Sequence, residues 1–151
     1  MKWRDLSWRL RVPLAITAVI VILSMAATIV SSFAFARFFG RDAAYGAIAG
    51  GATAVCGASA ALAVSTVVPN YPKRDSDTVL VVLAVNALST IAMIVYPMLA
   101  SLAGFDDRTT GILLGATIHD VAQVVQSGYS VSETAGASAV IVKLFRVFLL
   151  L

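Results

Sequence analysis

Five apolar runs dictate what this chain can become: residues 12–39, 43–68, 78–103, 109–127 and 137–151. Polar turns separate them, at Arg41-Asp42, at Pro69–Asp77, at Gly104–Arg108 and at Gly128–Gly136. About 20 mostly apolar residues carry a helix across the hydrocarbon of a bilayer. The expectation is an all-α membrane protein with about five transmembrane helices, four complete and a fifth begun. They form a single integral membrane domain over 12–151, and 151 residues leave no room for a sizeable soluble one. The composition agrees: 60% of residues are hydrophobic and 13% charged, where a soluble domain has about a quarter charged.

The charges serve topology. Residues 1–11 hold Lys2, Arg4, Arg9 and Arg11 against Asp5, interleaved with Trp3 and Trp8. Basic and aromatic residues together suit a membrane interface. The net charge of +3 therefore does not imply a nucleic-acid partner. With the N-terminus inside and each run crossing once, eight Lys and Arg residues fall inside. Three fall outside: Arg37, Arg41 and Arg108. Cytoplasmic loops carry that excess, so residues 1–11 read as a basic cytoplasmic N-terminus. The first run also resembles a signal peptide ending at Ala34-Phe35-Ala36. It is longer than the usual 7–15-residue apolar core, which favours a retained helix.

Polar residues at helical depth mark the candidate site. The run 109–127 contains the only histidine, His119, beside Asp120 and close to Gln123 and Gln126. On a continuous helix these share one polar face, opposite Ile112, Leu113, Val121 and Val125. Asp at the bilayer centre costs roughly 2.5–3.5 kcal/mol on insertion scales, so an ionisable residue there is a functional hypothesis by default. The third run adds Asn86, Ser89 and Thr90, and the second adds Thr53, Cys56 and Ser59. The second run is also built of small residues, with Gly46 and Gly50 at a spacing that lets helices approach closely. It reads either as a tightly packed helix or as one broken near Cys56-Gly57-Ala58-Ser59. In the second case Ser59 caps a following half-helix whose free N–H groups face an anion. Lys143 and Arg146, three apart in the last run, read as cations snorkelling from a helix end.

Three functions compete. Three polar helix faces suit a substrate path, with His119 and Asp120 carrying protons and Asn86 and Gln123 directing hydrogen bonds. The same residues suit plain interhelical glue in a structural or assembly subunit. A thiol enzyme using Cys56 and His119 lacks any local signature, so no enzyme is expected. One cysteine excludes an internal disulfide, and one Cys with one His is a poor zinc site, so neither metal nor cofactor is expected.

Four motifs resemble, in order and spacing, the YeiH family of bacterial membrane proteins, regarded as sulfate exporters. They are Cys56-Gly-Ala-Ser-Ala60, Thr90–Pro97, Gly115-Ala-Thr-Ile-His-Asp-Val-Ala-Gln-Val-Val125 and Ile141–Val147. The match covers about residues 45–151, with Ser89 where the family pattern has glycine. The resemblance implies a multi-pass protein of the bacterial inner membrane. It also implies one repeat of an inverted-repeat transporter, like the cation–proton antiporters and bile-acid symporters, with a discontinuous helix near Cys56-Gly57. The expected function is secondary export of a small anion such as sulfate or an organosulfonate. The expected site is Cys56, Gly57, Ser59, Asn86, His119, Asp120 and Gln123. Family members are about twice as long, so the chain is expected to be a half-transporter or fragment, working as a homodimer or with a second chain.

Overall fold

The computed structural model describes the backbone of residues 8–148, and side chains from Ile16 onward except Thr17. Residues 1–7 of the basic N-terminus, and 149–151 of the last run, lie outside the described residues. Seven helices and no strand occur among the described residues: α1 Trp8–Phe38, α2 Ala43–Ala54, α3 Ala58–Val67, α4 Arg74–Leu102, α5 Asp107–Thr117, α6 Val121–Val131 and α7 Glu133–Phe148. Two of them are long and apolar enough to cross a membrane, α1 over Ala18–Phe38 and α4 over its whole length.

The apolar runs thus map onto helices with several differences, among them an α6 that continues to Val131 through the expected polar turn. The second run divides into α2 and α3, as one of its two readings expected. The fourth also divides, into α5 and α6, which the single continuous polar face did not anticipate. The last helix begins at Glu133 rather than 137. The loop 69–77 is shorter than expected because α4 starts at Arg74, where Asp75 and Asp77 favour the positive helix N-terminus.

Outward faces are apolar. Leu80, Leu83, Leu88, Ile91, Ile94 and Met98 of α4 are all exposed. That is the pattern of a lipid-facing helix, since hydrocarbon exacts no penalty for apolar surface.

Small residues set the internal contacts. A Cβ on Gly46 would lie 3.1 Å from Ala36 Cβ, and one on Gly50 would lie 3.2 Å from Ser32 Cβ, so α2 nests on α1 at the expected glycine pair. A second pair does the same for α5 and α7. A Cβ on Gly111 would meet the Ala135 carbonyl at 2.3 Å, and one on Gly115 would meet that of Ala139 at 2.3 Å. Close backbone approach of this kind drives helix association where no hydrophobic effect operates.

At one end of the bundle, Arg41 pairs with Asp77 at 2.9 Å and lies over the Tyr45 ring at 4.7 Å. Tyr71 donates to Asp77 at 3.2 Å. This cluster ties the α1–α2 turn and the 69–73 loop to the start of α4. At the next turn, Asp106 caps α5 by accepting from the Thr109 backbone and hydroxyl. The Thr109 hydroxyl holds the Asp106 carboxyl below its ordinary pKa.

Candidate functional site: two helix breaks

The second run breaks at Val55-Cys56-Gly57. Val55 leaves helical geometry at φ −117°, ψ −88°, and Gly57 takes φ +67°, ψ −121°. A side chain is strained at that Gly57 conformation, which explains glycine there. The Gly57 N–H returns to the Ala52 carbonyl at 2.9 Å and closes the end of α2. Helix α3 then restarts with no side-chain cap. Ser59, expected to cap it, instead contacts Cys56, with Oγ 2.9 Å from Sγ. A restarting helix leaves its first N–H groups without intrahelical partners.

The fourth run breaks at Ile118-His119-Asp120, with Ile118 and Asp120 in extended conformation. Asp120 is the N-cap of α6, its Oδ1 accepting from the Gln123 amide at 3.1 Å. Asp followed three residues later by Gln, ahead of an apolar run, is a helix-start signature. That local signal was present in the sequence, under the polar-face reading. His119 therefore lies between two helices, and its four-residue spacing to Gln123 does not place them on one helix face.

The breaks meet. A Cβ placed on Gly57 would lie 3.8 Å from Asn86 Oδ1 and 3.9 Å from His119 Cβ. Ser89 of α4 accepts from the amides of His119 at 3.1 Å and Asp120 at 3.3 Å. Gln123 spends its amide nitrogen on Thr90 Oγ1 at 2.9 Å. Ser127 donates to the Met93 carbonyl at 3.0 Å. Four buried side-chain atoms among the described residues have no protein partner: Asn86 Oδ1, His119 Nδ1, Gln123 Oε1 and Arg146 Nε. Of the expected site residues, Gly57, Asn86 and His119 are thus brought together, with Asp120 and Gln123 at the start of α6. Cys56 is buried in the first break, and Ser59 is exposed as the second residue of α3.

Lys143 and Arg146 were not expected in this site. They do not snorkel: Lys143 is 0% exposed and Arg146 4%. Lys143 Nζ donates to Val55 O at 2.7 Å and Ile118 O at 2.9 Å, and Arg146 donates to the Ala116 carbonyl. Both cations thus sit at helix C-termini, where the macrodipole is negative. Among the described residues no group of three His, Cys, Asp or Glu gathers to hold a metal.

A family model described as "Conserved hypothetical protein 698" matches residues 6–151. Among curated relatives, the UPF0324 membrane protein TauZ of Paracoccus pantotrophus is 47% identical over 131 residues, covering 87% of this chain and 39% of the relative. The UPF0324 membrane protein CT0845 of Chlorobaculum tepidum is 46% identical over 132 residues, covering 87% and 37%. The UPF0324 inner membrane protein YeiH of Salmonella typhi is 38% identical over 136 residues, covering 87% and 38%. The chain therefore spans less than two-fifths of the length of these relatives. No solved structure matches.

Proposed function

The chain belongs to the conserved hypothetical protein 698 family, the UPF0324 membrane proteins, and on that premise we propose that it contributes to secondary export of a small anion such as sulfate or an organosulfonate. It crosses the bacterial inner membrane about five times, with the N-terminus cytoplasmic and with α2–α3 and α5–α6 as two discontinuous crossings. The arrangement resembles one repeat of an antiporter or bile-acid-symporter-like transporter. A second copy, or a second chain, completes the path. No enzymatic step is part of this reading.

The observation that carries it is the uncapped N-terminus of α3, beside Asn86 and His119. Free N–H groups at a helix start favour an anion. Discontinuous helices at mid-membrane use those ends for anionic substrates. In this mechanism the first turn of α3 binds the oxyanion, Asn86 and Gln123 direct it, and His119 and Asp120 exchange the coupled proton. The test is anion flux from proteoliposomes across imposed pH gradients. His119→Ala and Asn86→Ala are expected to abolish coupled flux, and unchanged flux with unchanged pH dependence would remove both from the mechanism.

One observation favours a second reading, an assembly subunit without its own path. Ser89, Gln123 and Ser127 all spend hydrogen bonds on neighbouring elements, as helix glue does. Labelling of Cys56 by a small water-soluble thiol reagent separates the two. Reaction that is slowed by sulfate supports the path, and inertness at every anion concentration supports the subunit.

A further inference from the structure

Lys143 is the largest fully buried side chain among the described residues. The ion pairs among those residues are Arg41–Asp77 and Arg74–Asp75, so neither Lys143 nor Arg146 has a carboxylate partner there. Burying a cation this way costs several kcal/mol unless other groups replace its hydration. Here the replacement is backbone. Val55 ends α2 and Ile118 ends α5, and both carbonyls point at one ammonium, 2.7 and 2.9 Å away. Each helix end carries about half a negative charge, so the two ends together offset about one of the two positive charges that Lys143 and Arg146 bring there. Unwound carbonyls and half-helix C-termini are also how membrane proteins hold a dehydrated alkali cation.

We infer that the two breaks form a cradle for a cation, and that its resident is the tethered ammonium of Lys143. The crossing is therefore held together without a dissociable alkali ion. Lys143 is a positioning residue: it fixes Val55 to Ile118, and with them the adjoining Gly57 and His119. Arg146, holding Ala116 one turn along α7, keeps the end of α5 in line. This rests on the hydrogen bonds alone and holds whether or not an anion crosses.

Chemical rescue tests it. The full chain is placed in phospholipid nanodiscs, and thermal unfolding is followed in sodium, potassium, propylammonium and tetramethylammonium chloride at equal ionic strength. The unsubstituted protein is expected to melt at one temperature in all four. Lys143→Ala is expected to melt about 10 °C lower in tetramethylammonium, which has no N–H donor. Propylammonium is expected to restore most of that loss in a saturable way, and Lys143→Arg to keep most of the original stability. Lys143→Met melting like the unsubstituted protein would overturn the inference. So would failure of propylammonium to act on Lys143→Ala, or a sodium or potassium requirement in the unsubstituted protein. If Lys143→Ala and Lys143→Met do not accumulate in membranes while Lys143→Arg does, a donor cation is needed and the inference stands. If Lys143→Arg is lost with them, side-chain shape decides and the inference fails.

Discussion

The Ser89 hydroxyl on α4 accepts from two successive amides of the second break, His119 at 3.1 Å and Asp120 at 3.3 Å, so one side chain serves both. Ser89 is itself fully buried, 30 residues before His119 in sequence. The break is thus supported from a neighbouring helix.

Ser89→Ala should expose the importance of that support. Two partly buried amides lose their acceptor, and an unsatisfied buried group costs about 1–3 kcal/mol. Denaturant unfolding in lipid–detergent micelles should show a loss of at least that size. An unchanged midpoint would mean that the amides find other acceptors.

Gly115→Ala should weaken the α5–α7 seam. Its new Cβ would fall 2.3 Å from the Ala139 carbonyl, a backbone atom that cannot swing away. Overpacking of this kind costs about 1–3 kcal/mol. Ser76→Ala, at an exposed position in the first turn of α4, should stay within about 0.5 kcal/mol and serves as the reference. Equal stabilities of the two variants would contradict the close packing.

Asp120 combines a structural role with a proposed chemical one, and two substitutions separate them. Asp120→Ala removes the α6 cap and should cost about 1 kcal/mol, whereas Asn is as good a cap and should cost little. If Asp120→Asn folds normally but anion flux no longer follows the pH gradient, the carboxylate works in coupling. Flux coupled as before in Asp120→Asn would confine Asp120 to capping.

Tyr71 should report on the cluster at the bundle end. Its phenol is pushed up to about 12, first by burial and then by the charge of Asp77, to which it donates. An unfolded tyrosine ionises near 10, so the folded protein keeps this proton longer. The associated stability is fully present below pH 10 and is lost as pH rises from about 10 to 12. Asp77→Asn should bring the Tyr71 titration back toward its ordinary value without reaching it, since burial remains. Tyrosinate absorbance, with Tyr71→Phe as the blank, reads the shift. A titration unmoved by Asp77→Asn would assign it to burial alone.

Much of the fold was legible because its causes are local. Run length alone located α1 and α4. Gly57 marked the first break, since few other residues adopt its backbone conformation. Small residues at Gly46 and Gly50 announced a close helix contact, though not that α1 is the partner. The second break was harder to read. Thr117-Ile118-His119 contains neither glycine nor proline, so hydrophobic periodicity runs through it without a mark. The Asp120–Gln123 capping signature was the one local clue.

By itself, then, the sequence determined a membrane-embedded helical chain and a set of polar residues that hydrocarbon would not tolerate unpaired. Only the tertiary structure decided how those residues are satisfied. Lys143 reaches a carbonyl 88 residues away at Val55 and another 25 residues away at Ile118, and Ser89 reaches across 30 residues to His119. Such bonds depend on where helices cross, and crossing is set by close backbone contact between small residues far apart in the chain. For that reason the lysine that looked like a helix-end anchor lies at the centre of the site.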